Sequence, residues 1–98
     1  MTTLNLNDLT VIADEVDEKL YGKKSNETLF KHLLEEIDEL LKELNRVGPD
    51  AKFEQLKEFG DVLFCIVSIA RQNELDMAHG LSLTITKLQE RIKFNIRE

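Results

Sequence analysis

Apolar residues recur along the first half of the chain at the three- and four-residue spacing of α-helices. A first stretch ends in a polar segment that begins at Gly22, and a second stretch, with a wider apolar stripe, ends at Gly48 and Pro49. Glycine and proline are common just beyond helix ends, because neither continues a helix well. The pattern therefore predicts helices near 7–20 and 27–47.

The second half of the chain contains an apolar run from 62 to 70. Such a run fits a buried strand or a buried helix, but periodic apolar positions begin well before it, and no turn residue follows until Asn73. The length of this uninterrupted segment therefore favours a helix near 51–73. Asp76 is a good N-cap for a fourth helix near 77–97.

The predicted third helix is apolar on every side and must be covered on every side, which three other helices of one chain cannot easily do. A chain of 98 residues is also short, and a small helical monomer buries only a modest fraction of its surface. We expect an all-α, four-helix bundle-like single domain over residues 1–98, completed by oligomerisation.

Acidic residues outnumber basic ones, and the formal net charge is −6. Nucleic acids and anionic membranes are bound by clustered Lys and Arg, so neither is an expected partner. Residues 1–8 carry no basic region followed by an apolar stretch, and a cytoplasmic protein is expected. The single cysteine, Cys65, excludes an intramolecular disulfide and is interpreted as a small core residue.

Two acidic patterns lie on the predicted second and third helices. The second helix carries Glu35, Glu36 and Glu39, spaced E-E-x-x-E, and the third carries Glu58 and Asp61, spaced E-x-x-D. Residues three apart on a helix are neighbours, so each pattern can present two carboxylates to one cation. Glu36 also falls within the apolar stripe, where a carboxylate is costly unless it is paired or bound to a metal.

Antiparallel packing of these helices would bring four or five carboxylates together. Like charges about 4 Å apart repel by roughly 4 kcal/mol at an effective dielectric of 20, so a cation is needed to neutralise them. Oxygen ligands without a nearby His or Cys select Mg²⁺, Mn²⁺ or Ca²⁺ over Zn²⁺. For E-E-x-x-E alone a solvated helix face is the better explanation, but Glu36 in the stripe with a second acidic pair favours a metal site.

The predicted fourth helix adds two cations one turn apart, Lys87 and Arg91. Beside a metal cluster they would suit a polyphosphate, because both side chains bind phosphate oxygens. Taken alone, they are better explained by pairing within the helix or by solubility. The chain has no glycine-rich phosphate loop, and no Ser or Cys with a plausible base supports covalent catalysis.

Together these residues resemble the MazG family of all-α nucleotide pyrophosphohydrolases, whose pattern is E-E-x-x-E, a variable gap and then E-x-x-D. Here the gap is eighteen residues, and Gly60-Asp61 followed by apolar residues is especially similar. The resemblance covers roughly residues 25–91. Family members often carry Asn two residues before the late Lys, where this chain has Ile85, so the resemblance does not extend to a contact made by that Asn.

The resemblance implies hydrolysis of (d)NTPs to (d)NMPs and pyrophosphate with Mg²⁺, for which Mn²⁺ can substitute. It implies four carboxylate ligands for the metal, which are Glu36, Glu39, Glu58 and Asp61. Glu35 and Glu36 would be the catalytic acids, with Glu35 positioning or deprotonating water. Lys87 and Arg91 match the family's late K-x-x-x-R element and would contact phosphates. A house-cleaning role and a homodimer or a dimer-of-dimers tetramer are also implied.

Other functions stay open from the sequence. Phosphoribosyl-ATP pyrophosphohydrolase has a similar acidic framework, but that family usually carries Ala-Ala-Asp where this chain has Phe59-Gly60-Asp61. Dimeric dUTPase relatives tend to be longer. A non-enzymatic module that oligomerises through the third helix would tolerate loss of Glu36 and Asp61. The segment 21–26, Phe30 or His32 could line a base pocket, but nothing selects between purine and pyrimidine.

Overall fold

The computed structural model describes residues 5–94, and within them the chain forms four helices and no strand. The helices are α1 (Leu6–Leu20), α2 (Asn26–Leu44), α3 (Ala51–Gln72) and α4 (Met77–Lys93). The predicted all-α class and helix order are therefore confirmed. No described helix is both long enough and apolar enough to cross a membrane.

Side-chain caps begin three of the helices. Asn5, Ser25 and Asp76 each accept a hydrogen bond from the backbone N–H three residues further on, at 2.9, 3.2 and 3.0 Å. Such bonds satisfy one of the backbone donors that a helix start leaves unpaired. At the end of α1, Gly22 has a φ of +67° and its N–H donates to the carbonyl oxygen of Asp17 at 3.2 Å. The left-handed conformation favours glycine at this position.

The end of α2 differs from the prediction. The helix was expected to reach residue 47 but ends at Leu44, and Val47 is 91% exposed. Asn45 accounts for the difference, because its side-chain Nδ2 donates to the carbonyl oxygen of Leu41 at 3.1 Å. Its backbone N–H meanwhile bonds to the carbonyl oxygen of Lys42 at 3.3 Å, which tightens the last turn.

The end of α4 also differs from the prediction. This helix ends at Lys93, and Phe94 caps it, whereas the apolar pattern carried the helix to residue 97. The predicted helical residues 95–97 lie outside the described part of the chain. The other predicted boundaries agree with the observed ones to within one residue.

Helices α2 and α3 pack against each other as an antiparallel hairpin. At one end the side chains of Asn26 and Asn73 exchange hydrogen bonds of 3.1 and 2.8 Å. At the other end Gln55 Nε2 donates to the carbonyl oxygen of Glu43 at 3.0 Å. The bonds fix the direction of the two helices, and this direction brings the middle of α2 beside the first half of α3.

Helix α1 packs on the C-terminal half of α3, where an ion-paired network joins them. Arg71 donates to Asp17, which is buried, and to Glu18 at 2.7 Å. Gln72 Nε2 donates to the carbonyl oxygen of Gly22 at 3.0 Å. The contacts place the end of α1 and the following loop against the last turns of α3.

Helix α4 makes only isolated contacts with the other three helices in the described part of the chain. None of its residues is buried, and it presents an exposed apolar stripe of Leu81, Ile85, Leu88 and Ile92. A second exposed stripe follows α2, through Phe30, Leu34, Ile37, Leu41 and Leu44. A third lies on the first half of α3, at Phe53, Leu56, Phe59 and Leu63. A single chain therefore leaves three long apolar faces uncovered.

Candidate metal centre and adjoining cleft

Three carboxylates from two helices converge between α2 and α3. Glu36 of α2 and Glu58 and Asp61 of α3 each place a carboxylate oxygen so that these atoms all lie within 4.8 Å of one another. Residues 58 and 61 are one turn apart and share a face of α3, while the antiparallel hairpin brings residue 36 opposite them. The structure thus brings together three of the four carboxylates predicted to bind a metal.

Crowding of negative charge perturbs two of these acids. Burial raises the pKa of Glu36, and the charges of Asp61, Glu58, Glu39 and Glu35 raise it further. Burial also raises the pKa of Glu58, with Asp61 and Glu39 adding to the effect. In the absence of a counter-charge, ionisation of both residues is therefore less favourable in the folded protein than in the unfolded chain.

Glu39, the fourth predicted ligand, lies at the edge of this cluster. It is exposed and falls outside the group of three, and its Oε1 lies 3.6 Å from Nζ of Lys42. Its charge nevertheless acts on both Glu36 and Glu58. Glu39 is thus close enough to influence the cluster, but it is less well placed than the other three to bind the same ion.

The donor set fits a hard divalent cation. All three converging groups are carboxylates, and no histidine or cysteine belongs to the group that the described residues form. Oxygen-only sites of this kind suit Mg²⁺ or Mn²⁺ rather than Zn²⁺. A cation would also relieve the repulsion that raises the pKa of Glu36 and Glu58.

A cleft of about 370 Å³ leads from the carboxylate cluster toward the end of α1. Glu35, Glu36 and Asp61 line one part of it. The other lining residues are Asp17, Tyr21, Lys24, Leu29, His32, Phe64, Cys65 and Ser68. This volume lies within the range of roughly 300–1,000 Å³ that is usual for small-molecule sites. Glu35 therefore belongs to the same site as the predicted ligands.

The cleft also carries an aromatic residue and a cation, both at or just after the end of α1. The ammonium of Lys24 lies over the ring of Tyr21, 4.3 Å from its centroid. His32 faces the same cleft from α2, so three of the residues considered for a base pocket, Tyr21, Lys24 and His32, do line it. Phe30, the other candidate, is 50% exposed and lines a separate, shallow apolar surface with Leu34.

The sequence analysis did not identify a line of polar side chains along one face of α3. Within the apolar run the polar side chains are Cys65 and Ser68, and both line the cleft. Together with Glu58 and Asp61 they follow one another at steps of three and four residues, which places all four on one face of the helix. This spacing could have shown from the sequence that the helix face carrying the acidic pair continues as far as Ser68.

Cys65 behaves as a neutral side chain in this cleft. Burial raises the pKa of its thiol, and the nearby charges of Glu36 and Asp61 raise it further, while Lys24 opposes them. A thiol becomes nucleophilic only as the thiolate. The cleft therefore favours the interpretation of Cys65 as a structural residue.

The two predicted phosphate-binding cations are not part of the cleft within one chain. Among the described residues that line it, neither Lys87 nor Arg91 occurs. Both belong to α4, which is not packed on the hairpin that carries the acids.

Comparison with known families places most of the chain in one of them. Residues 24–94 match the model of the MazG nucleotide pyrophosphohydrolase domain. The matched segment includes every carboxylate of the cluster as well as α4. No curated protein and no solved structure gives a significant match.

Proposed function

Since the chain belongs to the MazG nucleotide pyrophosphohydrolase family, we propose that it hydrolyses nucleoside triphosphates. The reaction is Mg²⁺-dependent and yields a nucleoside monophosphate and pyrophosphate from ribo- or deoxyribonucleotides. The observation that carries the proposal is the convergence of Glu36, Glu58 and Asp61 at a cleft of nucleotide size. The biological role is removal of unwanted nucleotides from cytoplasmic pools.

Glu36, Glu58 and Asp61 hold the divalent cation, with Glu39 adding negative charge from the edge of the cluster. When bound, Mg²⁺ supplies charge neutralisation for the phosphates and lowers the pKa of a coordinated water. The chain itself contributes the position of the carboxylates, since the hairpin of α2 and α3 fixes them before substrate arrives. Much of the catalysis of phosphoryl transfer comes from such positioning and charge stabilisation.

Glu35 is the proposed general base. It precedes the ligand Glu36 in the chain and lines the same cleft. A carboxylate in this place orients a water and takes its proton as the water oxygen bonds to the α-phosphorus. The bond from the α-phosphorus to the bridging oxygen breaks, and pyrophosphate leaves with that oxygen and the electron pair of the broken bond.

We propose that the working form is a homodimer or a dimer of dimers. The exposed apolar stripes on α2, α3 and α4 support self-association, because a small monomer rarely exposes several large apolar faces. In such an assembly α4 of one protomer reaches the cleft of its partner. Lys87 and Arg91 then contact the phosphates of a nucleotide held by the acids of the other protomer.

The test is release of pyrophosphate from a panel of NTPs and dNTPs, with Mg²⁺ and with EDTA. Metal-dependent release with the monophosphate as co-product is expected. Glu36→Gln should abolish it, whereas Glu27→Gln, a matched change in the first turn of α2, should not. Absence of release from every nucleotide of the panel would overturn the proposal, and phosphoribosyl-ATP would be the next substrate to test.

A further inference from the structure

Ser68 is a buried polar side chain in the cleft. It is 4% exposed and lines the cleft from α3. Its hydroxyl forms no hydrogen bond with any residue that the structure describes. The hydroxyl oxygen is not one of the enclosed side-chain atoms that lack a partner, so it opens onto the cleft and is within reach of solvent or a ligand there. A cleft occupant that displaces this solvent can hydrogen-bond to the hydroxyl in its place.

The position of Ser68 relative to the acids defines a direction along the cleft. Ser68 lies seven residues beyond Asp61 on the same face of α3, which is about 10 Å along the helix axis. This distance is comparable with the length of a nucleoside. A nucleotide whose phosphates lie at the carboxylate cluster therefore extends its base toward Ser68.

The end of the cleft away from the carboxylate cluster, called the inner end here, is lined by apolar side chains together with polar ones. Leu29 and Phe64 provide apolar walls, and Tyr21 adds a second aromatic ring from the end of α1. The carboxylate of Asp17 also lines this end, but Arg71 donates two hydrogen bonds to it and neutralises its charge. Apolar walls with a few placed polar groups are typical of sites that bind flat heterocycles.

Resting on the proposed function, we infer that this inner end is the nucleoside-binding part of the site and that Ser68 determines base specificity. Its hydroxyl both donates and accepts hydrogen bonds, so it can pair with the polar edge of a nucleobase. Loss of the hydroxyl then weakens binding unequally among bases, since their polar edges differ. A role confined to packing would affect every base equally.

The test uses Ser68→Ala, which removes only the hydroxyl, and Ser82→Ala as a matched control on the exposed surface of α4. Binding of the nucleoside monophosphates is measured by calorimetry in EDTA, and kcat and KM are measured for the triphosphates with Mg²⁺. Ser68→Ala should weaken binding of the preferred base about two- to tenfold, with the change in KM rather than kcat. Ser82→Ala should match the unmodified protein.

A bulkier variant, Ser68→Val, checks that the base occupies this space. It should weaken monophosphate binding more than Ser68→Ala does, and melting curves establish that both variants fold. Equal binding by Ser68→Ala and the unmodified protein, or an equal loss for every base, would overturn the specificity role and leave the hydrolysis intact. Base-dependent loss of binding without any pyrophosphate release would support the subsite and overturn the proposed function instead.

Discussion

Arg71 holds Asp17 through two hydrogen bonds to one carboxylate oxygen, Oδ2, at 3.2 Å from Nε and 2.6 Å from a terminal guanidinium nitrogen. The Asp17 side chain is 4% exposed and the Arg71 side chain 19% exposed, so this pair is largely withdrawn from water. Asp17 also lines the cleft. The pair therefore joins α1 to α3 and holds one wall of the proposed nucleotide site.

Replacing Arg71 should cost much of the stability of the fold. Arg71→Ala leaves the carboxylate of Asp17 buried without its partner, and breaking such a pair typically costs about 3–5 kcal/mol. Arg46→Ala, which breaks a pair with Glu43 in which the arginine side chain is 53% exposed, is the control and should cost much less. Urea unfolding measures both. Equal losses for the two variants would show that the buried pair is not an important contact between α1 and α3.

Glu36→Gln should have opposite effects on stability and turnover. In EDTA at neutral pH it should raise the melting temperature by a few degrees, because it removes a charge that Asp61 and Glu58 oppose. With Mg²⁺ it should lose pyrophosphate release altogether. Thermal melting and the release assay test the two parts separately. A lower melting temperature in EDTA would contradict the view that the cluster is strained without a cation.

The same cluster predicts how stability depends on pH. The folded-state pKa values of Glu36 and Glu58 are raised above their ordinary value of 4.5, so the folded protein holds more protons than the unfolded chain just above that pH. Stability without metal should therefore fall as pH rises from about 4.5 through the raised pKa values. The contribution of these two residues to stability is largest below this interval.

Mg²⁺ should reverse the loss of stability at higher pH, because it binds the ionised carboxylates. The increase in melting temperature on adding Mg²⁺ should be larger at about pH 8 than at about pH 5, since protons compete with the metal at the lower pH. Calorimetric melting with Mg²⁺ and with EDTA at both pH values measures the difference. Glu36→Gln should reduce the difference between the two pH values. An equal increase in melting temperature at both pH values would argue against carboxylate ligands.

The carboxylates should differ in their importance for the metal. Asp61→Asn changes a member of the convergent group, whereas Glu39 lies at its edge. Glu39→Gln should weaken Mg²⁺ binding by about 10- to 100-fold, as is typical of residues that support a ligand, and Asp61→Asn should weaken it further. Titration calorimetry with Mg²⁺ gives the order. Equal losses of Mg²⁺ affinity in the two variants would show that Glu39 is itself a ligand.

A mixing experiment tests whether α4 of a partner completes the site. Glu36→Gln and the double variant Lys87→Ala/Arg91→Ala should each be inactive alone. Refolded together in equal amounts, they should recover about a quarter of the activity, because half of the dimers contain one intact site. Recovery requires the acids and the cations to come from different protomers. No recovery would place both groups in the site of one chain.

The sequence predicted the elements and the acidic cluster well, because both depend on local spacing. Helical periodicity identified all four helices, and steps of three residues placed Glu58 and Asp61 on one face of α3. Antiparallel packing then brought Glu36 opposite them. Binding of a metal by these residues stays a prediction.

Other features depend on contacts that spacing does not record. The Asp17–Arg71 pair joins residues 54 positions apart, and nothing local connects them. The apolar stripe of α4 shows which face of this helix is available for packing, but not which surface packs on it. Val47 fits the helical pattern of α2, yet the Asn45 side chain ends the helix first. In each case a tertiary or capping interaction decides between arrangements that the pattern allows.

The order of these contacts along the chain bears on how the protein folds. The acids of α2 and α3 are close in sequence compared with Asp17 and Arg71, whose contact closes a segment of 54 residues. Closing a shorter loop costs less entropy, so the hairpin should form before α1 docks. Carboxylate repulsion is then already present in the folding transition state. Divalent cations should therefore accelerate folding of this chain more than they slow its unfolding.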